Sequence, residues 1–255
     1  MGESLEASEK SRSDLAERIL PPPLYKALKH IFLQKLSGCA LVGGTALAGF
    51  YAGHRRSDDL DLFTADETSQ KATHAAVQSL QGIGTVFERE FHAAQFYKAT
   101  CLLDQKRFTV DIVLDQNLFR VGRFHSLNDG LVVADLHTLL MMKSSTLVSR
   151  CSEKDLFDLL WLFEHMNGLT YERLIQVGHE IDGGLTGETL LMSVSNTILR
   201  EEACDFSLDP QVTPKNVHAQ LISFQNSFLK GLSLYLKNQP APPLKDLLKQ
   251  VKRLI

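Results

Sequence analysis

Asp59 and Asp61 stand two residues apart in the stretch DDLDLFT, which begins at Asp58. Acidic and apolar residues that alternate in this way form a strand, and positions i and i+2 of a strand share a face. The two carboxylates are then neighbours, while Leu60 and Leu62 point the other way into a core. Adjacent carboxylates repel, and one of them takes up a proton unless a cation lies between them. A hard divalent cation, Mg²⁺ or Mn²⁺, accepts such oxygen ligands. Asp111, a lone acid inside the apolar run RFTVDIVLD, is the candidate third ligand, because an unpaired charge in a buried strand is costly. Asp115, at the end of that run, reads as a turn residue. Three carboxylates can clamp two metal ions about 4 Å apart around an attacking and a leaving oxygen.

Phosphate chemistry is written close by. Gly43 and Gly44 follow the apolar run CALV and precede a helical pattern. A strand-to-helix junction offers backbone N–H groups and the positive end of a helix, and glycine lets a phosphate approach closely. Thr45 adds a hydroxyl. Arg55, Arg56 and Ser57 sit just before the carboxylates and can hold phosphate oxygens. Metal binding and phosphate binding side by side call for a metal-bound nucleoside triphosphate (NTP) as substrate.

The elements that must position these groups follow from hydrophobic periodicity. Residues 1–20 are polar and charged and read as a flexible arm or a frayed helix, ended by Pro21-Pro22-Pro23. Prolines suit a first helical turn, and the segment after them carries Leu24, Leu28, Ile31, Phe32 and Leu36 on one helical face. A strand (CALV), a helix ending near Gly53, the DDLDLFT strand and a helix from DETSQ to Gly82 come next. Three strands follow, in TVFEREF, AQFYKATCLL and RFTVDIVLD. This order argues for an α/β or α+β sheet domain over 21–130, of which α+β is the expectation. From 131 to 255 the remaining patterns all read as helices, a second, all-helical domain.

The chain of 255 residues has 44% apolar and 22% charged residues and a formal net charge of −3. It therefore has no global basic field for nucleic acid. No run reaches the roughly 18–20 apolar residues of a membrane span. The N-terminus lacks the apolar region of a secretory signal. Cys39, Cys101, Cys151 and Cys204 lie far apart with no CxxC, the pattern of reduced thiols in a cytoplasmic protein. His54, His92, His125, His137 and His165 show no zinc spacing, and Phe157, Trp161 and Phe163 read as helix core.

The Gly-Gly-helix-Asp-x-Asp pattern with a later strand aspartate resembles the nucleotidyltransferase superfamily of polymerase-β-type fold. The longer stretch GGTALAGFYAGHRRSDDLDLF is closer to the AbiEii/AbiGii toxin family, whose GGT and Arg-x-Ser-x-Asp-x-Asp run is matched by Arg55, Ser57, Asp59 and Asp61. The family's later motif is matched by Lys143, Arg150, Lys154, Asp155 and Asp158. The resemblance implies a mixed sheet flanked by helices with a helical domain after it. It further implies transfer of a nucleoside monophosphate to an RNA or tRNA hydroxyl, a toxin role and a cognate antitoxin. Asp59, Asp61, Asp111, Lys143 and Asp155 would be catalytic, and Gly43, Gly44, Thr45, Arg55, Ser57, Arg150 and Lys154 would hold the NTP. On one continuous helix Lys143, Arg150 and Lys154 form a basic stripe facing the carboxylates; alternatively, Ser152 and Asp155 form an N-terminal cap and the helix restarts there. Two other readings are an Asp-x-Asp glycosyltransferase, disfavoured by the upstream Gly-Gly, and a non-catalytic nucleotide-binding or antitoxin-like module, disfavoured by the intact acid set.

Overall fold

The structure, a computed structural model, describes residues 5–251, with side chains from 12 to 247. In chain order the elements are α1 (Leu5–Ile19), α2 (Pro22–Phe32), β1 (Cys39–Val42) and α3 (Gly43–Leu47), which runs on into a π-helical turn, Ala48–Ala52. Then come β2 (Asp59–Thr64), α4 (Glu67–Gln78), β3 (Val86–Ala93), β4 (Phe96–Leu103), β5 (Lys106–Leu114), α5 (Gln116–Val121), β6 (Phe124–Ser126) and β7 (Val132–Ala134). The helices α6 (Leu136–Ser149), α7 (Glu153–His165), α8 (Tyr171–Ile181), α9 (Gly187–Asn196), α10 (Pro214–Leu236) and α11 (Leu244–Val251) complete the chain. Its contacts divide it into two units, between Leu139 and Leu140, inside α6.

The first unit is built on one mixed sheet of order β3-β4-β5-β2-β1-β7-β6. β2 and β5 run parallel at its centre, as do β1 and β7; the other neighbours are antiparallel. All four residues of β1 are buried, the signature of a strand covered on both faces. In β2 the burial alternates: Leu60, Leu62 and Thr64 are buried, and Asp59, Asp61 and Phe63 are half-buried. β5 repeats the pattern with Val110 and Ile112 at 0% exposure. α4 packs on β2 and β5, on the face that carries these apolar side chains. Asp66 caps α4 by accepting from the Ser69 N–H, and Asp115, read as a turn residue, caps α5 by accepting from the Leu118 N–H.

Two expectations for this unit are corrected. Residues 5–19 form a helix rather than a flexible arm. Ala16 is fully buried and Leu20 nearly so, Arg12 lies 4.9 Å over the Tyr51 ring, and Leu20 packs against Gly49. One thin buried stripe suffices to dock a helix whose other faces are polar, which is why its composition reads as an arm. The sheet also extends past residue 130, because the three-residue strands β6 and β7 are too short to show a period of two.

The second unit is all-helical. Phe163 of α7 meets Phe224 and Phe228 of α10, with ring centroids 5.8 and 5.9 Å apart. Gly231 of α10 lies against the Tyr171 ring, where a side chain would collide with it. The buried Gln225 amide donates to the carbonyls of Val194 and Thr197 at 2.8 and 2.9 Å. Those bonds serve the carbonyls at the end of α9, so the helix stops at Asn196 instead of running on through Leu199-Arg200-Glu201-Glu202 as its apolar pattern suggests.

Candidate functional site

The parallel register sets the site. Asp59 lies opposite Thr109 and Asp61 opposite Asp111, so the three acids share the face turned away from Leu60 and Ile112. The Thr109 hydroxyl donates to Asp59 Oδ1 at 2.6 Å. Lys98, opposite Asp111 on β4, places its ammonium 2.9 and 3.0 Å from the two Asp111 oxygens. Lys106 pairs with Asp58 at 2.7 Å. Sequence reasoning missed Lys98 and Thr109, because their roles come from cross-strand register and not from spacing; a lysine at an alternating position of a half-buried strand was the available signal.

The two glycines have separate tasks. β1 ends at Val42, the register partner of Asp61, so the next residue turns directly beside the Asp61 carboxylate. Gly43 makes that turn at φ +70°, and a Cβ there would collide with Asp61 Oδ2. At Gly44 a Cβ would collide with Nη2 of Arg55. Arg55 is 2% exposed, and its Nη1 donates to the Arg56 carbonyl at 2.9 Å. Thr45 is fully buried; its hydroxyl donates to the Asp59 carbonyl and shares a 2.8 Å hydrogen bond with the hydroxyl of buried Ser57. Thr45, Arg55 and Ser57, expected as phosphate ligands, thus each have partners inside the protein and tie the start of α3 to the start of β2. Gly43 and Gly44 remain half-exposed, and Val42 offers no side-chain cap to the first turn of α3.

A substitution at Gly43 therefore has two costs. Holding alanine in the left-handed region costs roughly 1–2 kcal/mol, and the new methyl displaces the Asp61 carboxylate. Gly84 has φ +91° with nothing within 4 Å of a Cβ, so Gly84→Ala carries the conformational cost alone. The expected result is that Gly43→Ala loses at least as much thermal stability as Gly84→Ala, and that only Gly43→Ala loses activity; equal activities would separate the turn from the carboxylate's placement.

The acids of this face fit a divalent cation by donor chemistry. They are hard oxygen donors, clustered on one face by register, with Lys98 paired to Asp111. Among the described residues, the one set of three His, Cys, Asp or Glu groups with all ligand atoms within 4.8 Å of one another lies elsewhere, at His74, Glu90 and His92. The three aspartates are laid out more openly than that.

In the helical unit the continuous basic stripe does not form. α6 ends at Ser149 and α7 starts at Glu153 with Ser152 as its cap: Ser152 and Asp155 make the reciprocal box, so the restart is the arrangement found. Lys143 is buried, with Nζ 2.9 Å from Asp155 and 2.7 Å from Asp158, both also buried. Arg150 is largely exposed and stands 3.9 Å from Asp155, and Lys154 is exposed. Burial alone would raise the Asp155 carboxyl pKa, but the Lys143 ammonium, the Ser152 hydroxyl and Arg150 outweigh it and hold the group below its ordinary value. Its stabilisation is therefore complete above the unfolded value of about 3.9 and is lost as pH falls through the lower folded value. Asp155→Asn is expected to flatten the dependence of thermal stability on pH in that acid window, with no change in slope between pH 6 and 8.

Burial raises Cys39 and Cys101 to about 12 and Cys151 and Cys204 to about 11, and the reactive form of a thiol is the thiolate. Among the described residues no helix is long and apolar enough to cross a membrane.

A family model described as nucleotidyl transferase AbiEii toxin, type IV TA system, matches residues 26–182. No curated protein sequence matches the chain. Among solved structures, the nucleotidyltransferase toxin MenT4 from Mycobacterium tuberculosis H37Rv is similar at TM-score 0.49 and 15% identity, over 96% of this chain and 98% of that one. JHP933 from Helicobacter pylori is similar at TM-score 0.44 and 17% identity, over 84% and 95%. The Megavirus polyadenylate synthase is similar at TM-score 0.41 and 13% identity, over 66% and 36%.

Proposed function

The chain belongs to the AbiEii nucleotidyltransferase toxin family, and from that premise we propose that it transfers a nucleoside monophosphate from an NTP to an RNA hydroxyl, with tRNA 3′ ends the first acceptor to test. The acceptor oxygen forms a bond to the α-phosphorus, the bond from that phosphorus to the β-phosphate bridge breaks, and pyrophosphate leaves. Asp59 and Asp61 would hold Mg²⁺ or Mn²⁺, which supplies positive charge to the triphosphate and to the developing oxyanions. Asp111, kept in place by Lys98, would complete the acid set and receive the acceptor's proton.

The N–H groups of Gly43 and Gly44 would meet phosphate oxygens, because this half-exposed turn has no side-chain cap. Arg55, Ser57 and Thr45 would keep that turn against the carboxylates. Arg150 and Lys154 are exposed cations suited to an RNA backbone, so RNA affinity should weaken with salt. Lys143 and Asp155 would act by holding α6 to α7. The reading places the protein in the cytoplasm, where NTPs and RNA are at hand, and the family's toxin–antitoxin description supports a cognate antitoxin as its partner.

The observation that carries the reading is the registry of Asp59, Asp61 and Asp111 on adjacent parallel strands, with Asp61 packed on the first glycine of the turn. The test is incubation of the full chain with total RNA and each of the four α-labelled NTPs in Mg²⁺. Label should enter RNA from at least one NTP. An intact, NTP-binding protein that labels no RNA overturns the acceptor; one that neither binds nor transfers any NTP overturns the reading.

A further inference from the structure

On the opposite face of the sheet from the aspartates, we propose a second metal site, of the zinc class, made by His74, Glu90 and His92. Glu90 and His92 are two apart on β3, so they share a face. His92 is the register partner of Tyr97 on β4, and Tyr97 points away from the face of its neighbour Lys98. His74 comes from α4, which packs on that side; its ring lies 4.6 Å from the Tyr97 ring and 5.3 Å from the His92 ring. One ligand atom from each of the three residues lies within 4.8 Å of the other two.

Three further observations point to a ligand. The first is the His74 Nε2 atom, which is buried and has no hydrogen-bond partner among the described residues. A buried polar atom left in this way is costly unless something binds it. The second is the support around Glu90. Its Oε2 accepts from the Tyr97 hydroxyl at 2.8 Å and from the Gln78 amide at 2.7 Å, the outer-shell bonding that fixes a ligating carboxylate. Gln78 lies one turn beyond His74 on α4, so the same helix face supplies both ligand and support. The third is space: a cavity of about 190 Å³ opens beside the cluster, lined by Gln70, Lys71, His74, His92, Ala93 and Tyr97.

Two imidazoles, which are borderline donors, joined by one carboxylate make a set that suits Zn²⁺ and leaves its fourth position for water. Zinc–ligand bonds of about 2.0–2.2 Å require the three groups to close up slightly. His92 has the freedom to do so, being 59% exposed at its side chain. The bound ion would fasten the exposed edge strand β3 to α4. The site is independent of the aspartate face, and so of the proposed reaction.

The test uses tag-free full-length protein with excess Mg²⁺ present, which occupies all-oxygen sites and leaves imidazoles alone. One equivalent of Zn²⁺ should bind by calorimetry, and Co²⁺ should give the intense visible bands of a four-coordinate nitrogen–oxygen site. Zn²⁺ should raise Tm. His92→Ala and Glu90→Gln lie at exposed positions and should leave the apo fold intact. Each should weaken Zn²⁺ at least about 100-fold and remove the Tm shift, while Gln78→Ala should weaken it about 10–100-fold. Zn²⁺ binding that is unchanged by both His92→Ala and Glu90→Gln, or no stoichiometric binding at all, overturns the site. NTP transfer by the His92→Ala variant should match the parent, so failure here is distinguishable from failure of the reaction.

Discussion

Asp59→Asn is expected to lower nucleotide incorporation about 1,000-fold while leaving the fold and Tm unchanged. The asparagine keeps the shape of the side chain and still accepts the hydrogen bond that the Thr109 hydroxyl gives to Asp59 Oδ1. The Thr45 bond to this residue runs to its backbone carbonyl and is untouched. What disappears is one negative charge on a half-exposed strand position. A change of that kind shifts stability by no more than about 0.5 kcal/mol. For catalysis the same charge is a large quantity, because a metal ion held by fewer carboxylates loses several kcal/mol of transition-state stabilisation. At 1.36 kcal/mol for each tenfold, a loss of about 4 kcal/mol gives the stated factor. The measurement is α-label transfer to RNA at saturating NTP, beside thermal unfolding of the same preparation. Incorporation within tenfold of the parent would remove Asp59 from the chemistry, and a large drop in Tm would make it a structural residue.

The acid set was readable because strands have a period of two. Alternation in DDLDLFT and a lone acid in RFTVDIVLD are local patterns, and the register of β2 on β5 turns them into one face. The Gly-Gly turn was readable as a place of close approach, but the approaching groups are the protein's own: the Asp61 carboxylate at Gly43 and the Arg55 guanidinium at Gly44. Spacing shows that a side chain is excluded without showing what excludes it. Lys98 was invisible because nothing in FYKATCLL indicates which strand lies beside it. His74, Glu90 and His92 were invisible for the same reason, since a helix and an edge strand bring them together. His92 alone reads as a surface histidine. The break between α6 and α7 was readable in Ser152 and Asp155, yet it left open whether Lys143 would face solvent, and burial decided that against the stripe.

Lys143 supplies the other large effect. Lys143→Met is expected to lower the stability of the helical unit by about 3–5 kcal/mol, because it leaves Asp155 and Asp158 buried without their cation. Set against a domain stability of about 5–15 kcal/mol, this is a drop of roughly 10–20 °C in Tm. The exposed Arg150, at 3.9 Å from Asp155, is too solvated to replace a lysine in contact with both acids. Removing the entire charge cluster should cost much less than removing the cation alone. The variant Lys143→Met/Asp155→Asn/Asp158→Leu is therefore expected to recover most of the lost stability, because the introduced asparagine retains a side-chain oxygen for the Ser152 cap. The resemblance to the AbiEii/AbiGii family offers Lys143 as a catalytic residue, and the pair of variants decides between that role and a structural one. If Lys143 only holds α6 to α7, NTP transfer should fall with the single variant above its lowered Tm and return in the triple variant. If it also acts on the triphosphate, the triple variant should be folded and inactive. A single variant that keeps the parent's Tm while losing activity would overturn the buried-cation account and leave the lysine to the chemistry alone.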